Sequence, residues 1–198
     1  MGSKVYLLFG VVVVCFALFY FIFRMLKGRD KAIDNVTDPA KLFEMADELY
    51  EQGKFKKAVK YYHKAADQGH VAAQFNLGLM HVNGQGVPQD DKAAVKYFKL
   101  AAEQGLAKAQ IALGLMYREG RGVPQDDKEA FKYLKLAAEQ GDADAQFNLG
   151  IMYGKGHGVP QDDKAAVKYF TLAAEQGDQS AINALEQLKA QINTSKDL

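Results

Sequence analysis

The chain holds one cysteine in 198 residues, and it is Cys15. Everything after it lacks a thiol, so no disulfide can staple the remainder, and a disulfide-free domain suits either side of a membrane. Serine is nearly as scarce. Ser3, Ser180 and Ser195 are the whole complement, and none is followed three residues later by lysine. The Ser-x-x-Lys signature of one large class of acyl-transfer enzymes is therefore missing. Histidine occurs four times, at His63, His70, His81 and His157, far apart and matching no metal-ligand spacing. His81 is expected to fill a tyrosine position in the core, and His157 to lie exposed in a loop. Neither sign of charge is in excess: 25 Lys and Arg stand against 24 Asp and Glu, a net +1. Nucleic-acid binding calls for a basic stripe that this composition does not supply. No catalytic residue, metal, cofactor, nucleic acid or small-molecule substrate is expected, and the chain is not read as an enzyme.

What is present begins with Val5–Phe23, a run of 19 residues without a charge. As a helix it would span about 28 Å, near the hydrocarbon thickness of a bilayer, with Tyr6 and Tyr20 toward its ends. No small-x-small cleavage site follows, since the next residues are Arg24, Met25, Leu26 and Lys27. A single transmembrane anchor is predicted, so the lipid bilayer is a partner through residues 5–23. Arg24, Lys27, Arg29 and Lys31 follow the run, whereas only Lys4 and the amino terminus precede it. This balance favours a repeat domain facing the cytoplasm, with an exported domain as the alternative.

Beyond the anchor the sequence repeats every 36 residues. Gly-Val-Pro-Gln-Asp-Asp-Lys occurs at 86–92, 122–128 and 158–164, and Ala-Ala-Glu-Gln-Gly at 101–105, 137–141 and 173–177. A fixed period signals a stack of like units, each too small to bury its apolar face alone, and such stacks present extended surfaces to partners. Carboxylate pairs recur with the same period. A catalytic pair is needed once, so recurrence argues for structural roles. Each unit reads as helix, loop, helix. The first runs over about Ala73–Asn83, two glycines and a proline break it, and Asp90 or Asp91 caps a second helix that ends before Gly105. Asp38 with Pro39 marks an earlier helix start. Residues 38–69 form a shorter unit, lacking four residues of the interhelical loop. Gly78, Gly114 and Gly150 are small residues set against Phe98, Leu134 and Phe170, a pattern of close helix approach. The Gly-x-Gly loops at 84–86, 120–122 and 156–158 follow no strand and lead into Val-Pro, so they read as turns rather than phosphate cradles. Asp90-Asp91 lacks the alternating spacing of a calcium loop.

The pattern Ala-x-x-x-Leu-Gly-x-x-Tyr, then Gly-x-Gly-Val, then Asp-x-x-x-Ala, then Ala-Ala-x-x-Gly resembles the Sel-one-like repeat (SLR), a branch of the tetratricopeptide-like superfamily. It fits units starting at Ala73, Ala109 and Ala145, with His81 departing where the others have Tyr117 and Tyr153. Gly53, Phe55, Ala58, Tyr62 and Ala65 make the first unit look like a plain tetratricopeptide repeat. The resemblance implies an all-α, right-handed α/α superhelical solenoid preceded by the transmembrane helix. The expected divisions are anchor 1–23, basic and polar linker 24–37, tetratricopeptide-like unit 38–72, Sel-one-like units 73–108, 109–144 and 145–180, and a capping helix with tail at 181–198. It also implies adaptor or scaffold roles without a shared reaction.

On a helical wheel, Leu77, Gly78 and His81 share one side of the first helix of a unit. Phe75, Leu79 and Val82 lie nearly opposite. The second apolar side gives a candidate partner-binding stripe of Phe75, Leu79, Ile111, Leu115, Phe147 and Ile151, suited to an extended or helical peptide. The competing reading packs this stripe against neighbouring repeats. Asn76 and Asn148, at equivalent positions, are candidates for bonding a ligand backbone or for a local structural role. The function expected is a membrane-tethered protein-interaction scaffold or adaptor that binds a partner protein or peptide on the concave face of the solenoid. The alternatives are an exported regulator of envelope or cell-wall processes and, remotely, a hydrolase on the same scaffold.

Overall fold

In the computed structural model, residues 36–194 are described. The expected membrane helix over Val5–Phe23 lies outside them, and among the described residues no helix is long and apolar enough to cross a membrane. Nine helices and no strands are found among these residues: α1 (Pro39–Glu51), α2 (Phe55–Ala66), α3 (Val71–Asn83), α4 (Asp91–Glu103), α5 (Ala107–Glu119), α6 (Asp127–Glu139), α7 (Ala143–Lys155), α8 (Asp163–Glu175) and α9 (Gln179–Thr194). The expected all-α helical solenoid is observed. Consecutive helices pair most heavily as hairpins α1–α2, α3–α4, α5–α6 and α7–α8; each hairpin packs less heavily on the next, and α9 covers α8.

Local chemistry accounts for the starts and stops. Asp38 accepts from the Ala40 amide with Pro39 at the first helical position, as its sequence context predicts. Asp90, Asp126 and Asp162 each accept from two amides of the helix they open. The following aspartates, Asp91, Asp127 and Asp163, then sit in the first turn, where the helix dipole favours negative charge. Helix α3 starts at Val71, two residues before the expected Ala73, because the His70 ring accepts from the Ala73 amide and caps the helix there. Gly84, Gly120 and Gly156 end α3, α5 and α7 in the left-handed conformation.

The core is a series of clusters rather than one centre. The first joins α1, α2 and α3 through Leu42, Tyr62 and Leu77; the next joins α4 and α5 through Phe98 and Leu113; a third joins α6 and α7 through Leu134 and Leu149. Within them the small-against-large pairing is seen directly. A Cβ placed on Gly78 would overlap the Phe98 ring, on Gly114 it would lie 2.8 Å from Leu134, and on Gly150 2.5 Å from the Phe170 ring. Glycine's helix penalty of about 1 kcal/mol is offset by that close approach.

Hydrogen bonds tie one hairpin to the next with the same period. Gln74, Gln110 and Gln146 are buried. Each donates to a carbonyl at the end of the preceding hairpin, on Ala66, Ala102 and Ala138 at 3.3, 3.2 and 3.4 Å. Each accepts in turn from Gln104, Gln140 or Gln176 of its own hairpin, at 2.8, 2.8 and 2.9 Å. The amide is thereby used at both ends, which a buried polar side chain requires.

Candidate functional site

The residues of the predicted stripe divide by surroundings. Phe75 packs against the core, its ring centroid 5.6 Å from that of Phe98. Phe147 repeats the contact at 5.8 Å from Phe170, and Ile111 packs against the third cluster. Leu79 is 37% exposed. Leu115 and Ile151, at the equivalent place in α5 and α7, are half-buried.

Both asparagines bond protein atoms across the hairpin boundary. Asn76 donates to the Tyr62 hydroxyl at 3.2 Å and to Asp47 at 3.4 Å. Asn148 accepts from Arg118 at 2.9 Å and donates to the Asp144 carbonyl at 2.7 Å. The Tyr62 hydroxyl in turn donates a short bond to Asp47. Burial, reinforced by the Asp47 carboxylate, pushes the Tyr62 hydroxyl well above the ordinary tyrosine range. Around this network a cleft of about 360 Å³ opens between hairpins one and two, lined by Asp47, Tyr50, Glu51, Tyr62, Asn76, Leu79 and Met80. Two residues of the predicted set, Asn76 and Leu79, thus line one cavity together with side chains from α1 and α2.

A second periodic feature lies away from the stripe. His81 stacks on Tyr97 with the planes 12° apart, as Tyr117 does on Tyr133 at 9° and Tyr153 on Tyr169 at 7°. His81 therefore fills the tyrosine position as expected, half-buried, although its Nδ1 is buried with no partner. Lys96, Lys132 and Lys168 lie over the outer rings at 5.8, 5.3 and 5.5 Å. His63 bonds the Tyr97 hydroxyl at 3.1 Å, and burial lowers its pKa. His157 is exposed in its loop as predicted.

The Gly-x-Gly loops turn the chain, and they also contact the preceding hairpin. Arg121, in the loop of hairpin three, forms a bidentate pair with Asp91 of hairpin two at 2.9 and 3.2 Å. The equivalent carboxylate one hairpin on is Asp127, whose Oδ1 is buried without a partner. The residue equivalent to Arg121 there is His157. Replacing His157 with Arg should complete the second pair and raise stability by about 1 kcal/mol, because a charge-assisted fork satisfies an orphaned acceptor. Urea unfolding would read this as a higher midpoint in H157R and a lower one in R121H. No change in either would remove the pair from the inter-hairpin contact.

Sequence reading missed the glutamine relay, the Asp47–Tyr62–Asn76 network and the loop-to-hairpin contact. The relay had a signal: an uncharged polar residue repeated without variation beside buried Ala73, Ala109 and Ala145. The network had none in the period, since Tyr62 and Asp47 occur only in the unit that departs from it.

Known proteins share this fold. A protective antigen present in uropathogenic Escherichia coli strains and displaying an SLR fold superposes with a TM-score of 0.76 at 36% identity, over 85% of this chain and 36% of its own. A Sel1 repeat protein from Oxalobacter formigenes superposes at 0.73 and 38% identity, over 79% of this chain and 64% of its own. The exopolysaccharide production negative regulator of Rhizobium leguminosarum bv. viciae is 34% identical over 59 residues, which are 30% of this chain and 22% of that protein. The chain thus spans less than two thirds of the length of each. A model of the Sel1 repeat matches residues 42–70, 71–106, 107–142 and 143–178, without interruption from the first hairpin to the end of the fourth. By that match across four consecutive hairpins, the chain belongs to the Sel1 repeat family.

Proposed function

We propose that this protein is a protein-interaction scaffold held at a membrane by residues 5–23. Its partner, an extended or helical peptide segment, lies along the side of the solenoid carrying Leu79, Leu115 and Ile151. The observation that carries this reading is the recurrence of an incompletely covered aliphatic side chain at one place in three successive hairpins. A row of such residues at the hairpin spacing suits a peptide that runs across several units. Sel1 repeats generally bind protein partners, and the anchor raises the local concentration of whatever is bound at the bilayer.

The test is capture of partners by the full chain solubilised in detergent, compared with L115S/I151S. The expected result is loss of the captured partner from the variant with its thermal unfolding only modestly changed. Equal capture by both proteins would overturn the peptide-binding face. Membrane attachment is tested separately: the full chain should stay with membranes through alkaline extraction, and its release would remove the anchor.

A second reading, a regulator of envelope polysaccharide processes with an exported repeat domain, draws on the 59-residue likeness to the exopolysaccharide regulator. A C-terminal reporter active in only one compartment separates the two sidednesses.

A further inference from the structure

The first hairpin departs from the repeat at two positions that meet in space. Where α3, α5 and α7 carry Leu79, Leu115 and Ile151, α1 carries Asp47; where α4, α6 and α8 carry Phe98, Leu134 and Phe170, α2 carries Tyr62. Tyr62 is 1% exposed, and its hydroxyl needs an acceptor at that depth. A neutral carbonyl would satisfy it. Asp47 brings a full charge instead, and Glu51 stands one helical turn further along the same face of α1. Among the described residues, neither carboxylate forms an ion pair with a lysine or arginine. These two acids are part of the rim of the cleft between hairpins one and two.

The rest of the lining narrows what would fit. Tyr50 is 36% exposed, its hydroxyl donates to Gln85 Oε1 at 3.1 Å, and its ring meets Phe55 edge-on at 5.1 Å. The ring is thereby fixed as a wall. Leu79 and Met80 supply apolar lining, and Asn76 is held by Tyr62 and Asp47. A cavity with apolar lining, a fixed aromatic wall and two carboxylates without an ion-pair partner suits a side chain with an aliphatic stem and a flat cationic head. Arginine has that build. Its guanidinium presents donors in a fork matched to carboxylates and stacks on tyrosine, while its stem lies along apolar surface.

We propose that the cleft formed by Asp47, Tyr50, Glu51 and Leu79 seats an arginine side chain of the bound partner. The proposal rests on the peptide-binding reading above and adds the chemistry of one anchoring residue. It places that residue at the first hairpin, the amino-terminal end of the described solenoid.

The test is a titration of the full chain in detergent micelles, followed through the amide signals of Asn76 and Leu79. The probes are N-acetyl-arginine amide and its uncharged isostere N-acetyl-citrulline amide. The arginine probe is expected to saturate in the millimolar range and the citrulline probe to bind at least about tenfold more weakly. Glu51 is exposed, so E51Q keeps the fold; D47N retains an acceptor for Tyr62. Each should weaken the arginine probe several-fold, and D47N/E51Q should abolish its preference over citrulline. Equal binding of both probes, no binding of the arginine probe, or a preference that survives in D47N/E51Q would each overturn the assignment. Leu115 and Ile151 lie outside this cleft, so loss of partner capture in L115S/I151S with no arginine preference would leave the peptide-binding face standing and remove the arginine seat alone.

Discussion

Replacing Gly122 with Ala should cut the solenoid in two. Gly122 has φ +70°, and a Cβ there would lie 2.5 Å from the Asp91 carbonyl carbon and closer still to its oxygen. Two penalties combine. The left-handed backbone costs an L-residue about 1–2 kcal/mol. Crowding into a packed contact adds about 1–3 kcal/mol, and here the neighbour is backbone, which cannot swing aside as a side chain can. Even after the modest gain from restricting the unfolded chain, about 0.4–1 kcal/mol, the net loss is about 3 kcal/mol. Gly105 supplies the control, because its φ is +89° and nothing lies within 4 Å of an added Cβ. G105A should therefore show the conformational cost alone, about 1 kcal/mol. The contact broken in G122A is the one between hairpins two and three, in the middle of the array. Stability in a stack of repeats is a sum of unit and interface terms, so weakening a central interface should broaden or split the urea transition. A G122A transition as sharp as the wild type, with the same midpoint as G105A, would show that the loop does not couple the hairpins. Gly158, with its Cβ position 2.5 Å from the Asp127 carbonyl carbon, should behave alike at the next boundary.

The same glycines show what the sequence could and could not disclose. Helix positions, capping aspartates and the pairing of Gly78, Gly114 and Gly150 with large partners follow from spacing within one unit, where the period repeats every contact. The second glycine of each Gly-x-Gly loop reads as a turn residue for the same reason: turn chemistry alone is enough to explain a positive φ. Its closeness to the previous hairpin depends on how units are rotated against each other, and no residue count within a unit contains that angle. Asp47 and Tyr62 are a harder case. They lie 15 residues apart, in the one unit whose loop is shorter, so the period offers no second copy for comparison. The stripe was legible as a set of positions on a wheel. The wheel gives direction but not depth, and it places Phe75 and Leu79 side by side although one ring rests on Phe98 and the other side chain stands at the surface.

That difference in depth leads to the second large effect. F75S/F147S should lose about 4 kcal/mol. Full removal of a buried phenylalanine costs about 3–5 kcal/mol, and these two are half-buried, so each contributes about 2 kcal/mol. They sit in hairpins two and four, with hairpin three between them and no shared partner, so the losses should add. L115S/I151S should lose less, about 1–2 kcal/mol in total, because each change removes a half-buried aliphatic side chain smaller than phenylalanine. Thermal unfolding of the two variants beside the wild type would check this. If F75S/F147S melted with L115S/I151S, the aromatic rings would be contributing little to the hairpins, and all of the stripe would be free to meet a partner. If the expected gap is found, the two phenylalanines belong to the hairpin interiors. Partner recognition is then left to the aliphatic positions, and a binding defect in F75S/F147S would report lost folding rather than a lost contact.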